Sequence, residues 1–295
     1  MEFEEAYNEW YVYISKRHKK QGYETLYRNF TNHIYPFFCD FELSKITKQD
    51  ILNWQNYILD LNYSNNFNGM LFVTLNSFFK FCLLNNYILE NPVLGVENFK
   101  KKIEVKKNYV TYNLYEFLKF RFYLDNFVYR QYFTFMFFYG TRPSEAMALR
   151  FCDFKKNYIY IRHSLQRKGK RELDTPKNQS SIRIIKISLF MKIRIQLLKK
   201  FYKKCFSDFN EEFFIFGGKK PITPTTTDRY KKVACIKAGL PVITQHGFRH
   251  SYATRNIHNK VPIDKVSKTM GHSKVSTTLD IYLHHNLKFD DSLFQ

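Results

Sequence analysis

Apolar residues at Phe3, Tyr7, Trp10, Tyr11 and Ile14 recur at the spacing of one helix face, which predicts a helix at the start of the chain. A second helix is expected from about Thr25 to Phe38, with Pro36 near its end. Thr47, with Asp50 three residues on, makes a capping pair. It opens a third helix whose apolar stripe is Ile51, Trp54, Ile58 and Leu61. A fourth, aromatic helix is expected over 65–86, closed by the turn-like Glu90–Gly95. Four helices in about ninety residues predict a small bundle whose aromatic stripes are core.

The pattern changes after a polar, lysine-rich stretch at 98–108. Helical periodicity is expected over 111–124 and 127–139, broken at Gly140, with a new helix near Pro143. Residues 157–162 and 181–187 alternate as strands do and are expected to pair as a hairpin or small sheet across a polar connection. Phe213–Phe216 reads as a buried strand or extended segment. Helices are expected at 188–204, 224–238, 246–258, 262–270 and 275–284, with Ser276 or Thr277 capping the last. The fold class is mainly α with a small antiparallel β-sheet. The expected organisation is a helical domain at 1–97, a basic linker at 98–108, a second domain at 109–285 and a tail at 286–295.

Charge changes this picture. The chain of 295 residues carries 47 basic and 26 acidic residues, a net charge of +21. Residues 1–99 hold 8 basic and 11 acidic residues, whereas 108–295 hold 34 and 14. A field of that size in the second part suits a polyanion; a merely solvated basic surface is the plainer alternative. Arg17, Lys19, Lys20, Arg28, Lys45 and Lys48 offer a local basic face in the first part. Lys100, Lys101, Lys102, Lys106 and Lys107 are candidate DNA-binding residues, a strap along a phosphate backbone rather than an ordinary loop. Five scattered cysteines without a CxxC pair argue against a disulfide framework or zinc site and for reduced, mostly buried thiols. No apolar run was expected to approach membrane-spanning length, and the acidic N-terminus is unlike a signal peptide. The expected location is cytoplasmic, with no membrane partner.

Three segments carry chemistry. In Gly140–Arg150, Pro143 suits the first position inside a helix, which puts Arg142 at the helix mouth. There its two-pronged guanidinium matches phosphate oxygens, and Glu145 is placed to hold it. A surface ion pair is the plainer alternative. In His246–Arg255, His246 and Arg249 share a helix face and suit one phosphate, with Tyr252 and Ala253 packed inward. In Met270–Tyr282, Gly271 ends a helix, His272 follows at the turn, and Tyr282 lies on the final helix. A phenol with a pKa near 10 needs nearby cations and a base before it can act as a nucleophile.

These segments resemble the tyrosine recombinase, or phage integrase, family. The resemblance is carried by GTRPSEAMAL, TPKNQSSIRII, HGFRHSYAT and GHSKVSTTLDIY, in that order. It implies that Arg142, Lys177, His246, Arg249, His272 and Tyr282 are catalytic, with Glu145 supporting Arg142. Residues 1–97, notably YETLYRNFTNHIYPFFCDFELSKITKQDI, resemble the family's helical core-binding (SAM-like) domain, which with a mixed α/β catalytic domain forms a C-shaped DNA clamp. This pattern starts almost at Met1, so the expectation is either a two-domain form without an arm-binding domain or a chain from which that domain has been removed.

The resemblance implies site-specific cutting and rejoining of double-stranded DNA through a 3′-phosphotyrosyl intermediate, without metal, ATP or other cofactor. Implied partners are DNA, a homo-tetramer in the synaptic complex with the tail docked on a neighbour, and a directionality factor. Mobile-element integration or excision is the leading reading. Chromosome or plasmid dimer resolution of the Xer kind, type IB topoisomerase-like relaxation, and a catalytically silent DNA-binding module are the alternatives.

Overall fold

The computed structural model describes residues 2–18, 20–99, 109–165, 173–174 and 182–279. Packing divides the chain into two units, Met1–Val105 and Lys106–Gln295. The division falls inside the basic stretch at 98–108, most of which lies outside the described residues.

In the first unit, α1 (Phe3–Arg17), α2 (Lys20–His33), the single turn α3 (Tyr35–Phe38), α4 (Lys48–Asp60) and α5 (Asn65–Leu84) surround an aromatic core. Phe30 sits 4.9 Å from Trp10 and 4.8 Å from Phe78, centroid to centroid, at the tilted angles that aromatic quadrupoles favour. The capping pair on α4 forms as expected: the Thr47 side chain accepts from the Asp50 amide, and the Thr47 amide donates to Asp50 Oδ2 at 2.8 Å.

Two expectations need correcting here. The second helix begins at Lys20, five residues early, and stops at His33 rather than Phe38. Pro36, which has no N–H to donate, instead starts the separate turn α3. Also, α5 has 20 residues and a mean hydropathy of 1.4 in its most apolar window. By length and composition it is apolar enough to cross a membrane, against the expectation that nothing would be. Half of that window is buried inside the bundle, where Leu71, Leu75, Phe78 and Phe79 form core.

The second unit begins with α6 (Leu114–Phe122), α7 (Phe127–Tyr139) and α8 (Pro143–Ala148). Strands β1 (Phe154–Lys155), β2 (Tyr158–Ile161) and β5 (Arg183–Lys186) form an antiparallel sheet in that order, with Ile159 opposite Ile185. The connection between β2 and β5 was expected to be plain polar loop. It instead holds a second ribbon, β3 (Ser164–Leu165) against β4 (Leu173–Asp174). Helices α9 (Leu189–Cys205), α10 (Pro224–Lys237), α11 (Gln245–His258) and α12 (Ile263–Met270) follow. Phe213–Phe216 is no regular strand; Phe214 makes single bridges to Arg150 and Gly218. Residues 276–279 are helical, and Leu279 bonds back to the Val275 carbonyl, so Ser276 and Thr277 lie inside that helix rather than capping it. Of the five thiols only Cys82 and Cys235 are buried, fewer than expected.

The core of this unit is α7 packed along α11. Phe248 of α11 sits 5.2 Å from Phe120 and 5.1 Å from Phe133, and Phe117 stacks on Phe137 at 3.9 Å. At the end of α7, Gly140 adopts φ +59°. A Cβ there would stand 2.4 Å from Tyr252 Cδ1 on α11, so both the backbone sign and the close approach demand glycine. Gly140→Ala is expected to lower stability in urea unfolding by about 2–4 kcal/mol, combining left-handed strain and overpacking.

Candidate active site

Three arginines from three elements meet the end of one helix. The last carbonyls of a helix have no partner within it and carry the negative end of its dipole. At the end of α12, Thr269 O accepts from Arg183 Nε at 2.6 Å, Met270 O from Arg249 Nη1 at 2.8 Å, and Gly271 O from Arg142 Nη2 at 2.7 Å. Gly271, at φ +72°, turns the chain immediately afterwards and so exposes these carbonyls together. Arg249 Nη1 also donates to Gly140 O at 2.8 Å, fastening α11 to the end of α7.

One carboxylate sits among these cations. Glu145, only 2% exposed, takes Arg142 Nη1 at 2.7 Å and Arg183 Nη2 at 2.8 Å, and accepts the Arg142 amide at 2.9 Å. Burial works against its charge, but Arg183 and Arg142 outweigh it and hold the carboxyl below its ordinary value. Glu145 therefore holds Arg142 and braces Arg183 as well. The sequence reading missed Arg183. Its signal was phase: Ile185 in β5 and Ile187 just beyond it, in step with Arg183, are buried, so an arginine in that phase has to be a paired, inward-facing cation.

Arg249 is 3% exposed, and its Nη2 has no hydrogen-bond partner among the described residues. Burial, with Arg142 adding repulsion, pulls its pKa down to about 9, still charged at neutral pH. A buried guanidinium with a spare donor calls for an anion.

His272 is half-buried beside these cations. Burial first, then Arg249 and Arg142, lowers it to about 3, so it is neutral at physiological pH. Its Nδ1 lies 2.8 Å from Thr278 Oγ1. Thr278 is fully buried, and its hydroxyl has no other hydrogen bond among the described residues. A hydroxyl hydrogen donated to Nδ1 leaves the imidazole proton on Nε2 as a donor. No sequence signal distinguished Thr278 from its neighbours in STTLD.

His246, in the first turn of α11, stays exposed while Arg249 turns inward. It borders a cavity of about 510 Å³ with Pro143, Ser144, Leu165 and Lys231. Tyr252 and Ala253 pack inward as expected. The structure thus brings Arg142, Arg249 and His272 around the end of α12, with Glu145 beneath. Lys177, Tyr282 and the strap lysines Lys100, Lys101, Lys102, Lys106 and Lys107 lie outside the described residues.

The model of the phage integrase family matches residues 113–288. The chain belongs to the phage integrase family. The family's N-terminal SAM-like domain matches residues 2–59. The recombinase is 25% identical over 264 residues to the ICEBs1 integrase of Bacillus subtilis strain 168, covering 85% of this chain and 70% of that one. Its fold is shared with the Tn1549 transposon integrase solved with transposon right-end DNA, at TM-score 0.75, 19% identity and 96% coverage of both chains. It is shared too with a lambda integrase tetramer bound to a Holliday junction, at TM-score 0.73, 15% identity and coverage of 95% of this chain and 77% of that one. The recombinase is an enzyme that breaks and rejoins DNA strands at specific sites.

Two outcomes follow from the site's electrostatics. Glu145 has a folded pKa below its ordinary 4.5, so its stabilising effect is full above that value and is lost as pH falls through the lower folded one. His272, depressed from 6.5, binds its proton more readily in the unfolded chain, so stability also falls from pH 6.5 downwards. Urea unfolding across pH is expected to show this acid-side decline. Glu145→Gln is expected to lose about 3 kcal/mol at neutral pH and to flatten the steeper, more acidic part. Nitrogen NMR of His272 is expected to show the Nε2–H tautomer in the wild type and in Thr278→Ser, and a tautomer mixture in Thr278→Val; an unchanged spectrum in the valine variant refutes the assignment.

Proposed function

We propose that this recombinase cuts DNA with Tyr282 as nucleophile and Arg142, Arg249, His272, Lys177 and His246 as its catalytic partners. The observation that carries the reading is the buried Nη2 of Arg249, which has no partner among the described residues and is held with Arg142 on the end of α12. Two guanidiniums fixed in this way suit the non-bridging oxygens of a phosphodiester, where charge develops in the transition state. Tyr282 Oη attacks phosphorus, and the bond to the 5′-oxygen breaks. His272 supplies its Nε2–H to a phosphate oxygen. Lys177 delivers a proton to the departing 5′-oxygen, and His246 accepts the proton of Tyr282. Attack by a 5′-hydroxyl then reverses these steps and rejoins the strand, so the bond energy is conserved and no ATP is consumed.

The partner is double-stranded DNA, with Lys100, Lys101, Lys102, Lys106 and Lys107 laid along its backbone between a core-binding domain at 1–97 and a catalytic domain at 109–285. The charge of the second part supports this. The assembly is a homo-tetramer at synapsis, in which the tail at 286–295, with Leu287, Phe289, Leu293 and Phe294, docks on a neighbouring copy. A directionality factor is a further partner, and the place of action is the cytoplasm, at the nucleoid. The relatives carried by mobile elements favour integration and excision as the biological role.

On a suicide substrate, Tyr282→Phe is expected to abolish the covalent protein–DNA adduct on a denaturing gel and to leave DNA binding near wild type. The wild-type adduct is expected to form in EDTA; an adduct in the phenylalanine variant, or its loss in EDTA, overturns the mechanism. Deleting residues 286–295 is expected to impair tetrameric synapsis while sparing binding to a single site, read by native gel; unchanged synapsis refutes tail docking.

A further inference from the structure

A second group of arginines lies on the other half of α7, well away from the end of α12. Gln131 and Gly140 are nine residues apart on one helix, about 14 Å along its axis. Arg121 of α6 donates through Nε to Thr134 Oγ1 at 3.1 Å, and the Thr134 hydroxyl donates to Arg130 O at 2.6 Å. Arg130 Nε reaches Leu124 O at 2.8 Å. Arg194 of α9 donates Nη1 to Gln131 Oε1 at 3.0 Å and lies over the Phe190 ring at 4.2 Å. Three helices thus bring three guanidiniums to one place.

The group has a surplus of donors and no counter-charge. Among the described residues none of the three arginines pairs with a carboxylate; nearby Asp125 is taken by Lys237. Gln131 is fully buried, and among the described residues its Nε2 has no acceptor; neither has the buried Nε of Arg194. Flipping the Gln131 amide would not help, because Arg194 Nη1 would then lose its acceptor. Burial, followed by the mutual repulsion of the group, lowers the pKa of Arg121 and Arg194. Buried donors without acceptors are rare, and here two adjoin an uncompensated positive charge.

The surroundings indicate what kind of anion fits. On α6, Leu118 and Phe122 flank Arg121 and are exposed, Phe122 at 76%; on α9, Phe190, Ile193 and Leu197 flank Arg194 and are exposed as well. A nucleic-acid backbone would leave these apolar side chains in water, whereas a protein segment covers them with its own. We propose that Arg121, Arg130, Arg194 and Gln131 form an oxyanion site that takes the carboxylate of an acidic protein segment flanked by apolar residues. Guanidinium forks match a carboxylate's two oxygens, and Gln131 holds the Arg194 fork in place.

The test follows the arginine Nε–H resonances of the full-length protein. The probe is a peptide of residues 289–294, in which Asp290 and Asp291 stand between Phe289 and Leu293. It is expected to shift the Arg121 and Arg194 resonances saturably. Replacing both aspartates of the peptide by asparagine, or Arg194→Gln in the protein, is expected to weaken binding by about tenfold or more. Unmoved resonances overturn the proposal, and because the unmodified chain is read, a variant that fails to fold does not obscure this. Shifts with inorganic phosphate but not with the peptide reduce the site to a bare anion site and overturn the protein-segment assignment. Arg121 and Arg194 resonances that shift with duplex DNA and not with the peptide overturn it in favour of backbone contact.

Discussion

The end of α12 is the joint on which the catalytic unit depends. Three consecutive carbonyls, of Thr269, Met270 and Gly271, each receive a different arginine, and those arginines come from β5, α11 and the mouth of α8. A helix end normally spends such carbonyls on water or a capping turn. Here they set the positions of two phosphate-matching guanidiniums and, through Arg183, of the carboxylate that braces one of them. Gly140 completes the joint from the other side, because its carbonyl takes the same Arg249 nitrogen and its missing side chain lets Tyr252 approach.

The site's electrostatics are unbalanced in a useful way. Glu145 offsets Arg142 and Arg183, while Arg249 is buried with a donor to spare among the described residues and His272 is driven to its neutral form. The cost of holding these cations together is met by helix-end carbonyls and a single buried carboxylate. In the proposed mechanism a phosphate entering the site adds negative charge and an acceptor together. A neutral His272 then donates a hydrogen bond without adding a further charge.

Legibility followed the reach of each interaction. Helix α7, its stop at Gly140, the start at Pro143 and the cap at Thr47 were readable because their signals lie within a few residues of each other. The start of α2 at Lys20 was not, since the segment before Thr25 has little apolar periodicity. The ribbon of β3 and β4 escaped because two-residue strands are too short to show alternation. The hydropathy of α5 was underrated because Asn68, Thr74, Asn76 and Lys80 interrupt its apolar positions without lowering the whole helix enough.

The sequence alone determined the family, the two-part organisation of apolar pattern and charge, and which arginines and histidines stand in recurring motifs, because these are properties of residue type and short spacing. Only the tertiary structure decided that Arg183 shares Glu145 with Arg142, that Thr278 meets His272 Nδ1, and that Arg121, Arg130 and Arg194 gather without a carboxylate among the described residues. Each of those facts is a contact between distant segments or between side chains whose roles depend on burial. A buried donor is known to lack an acceptor only once everything packed around it is in place.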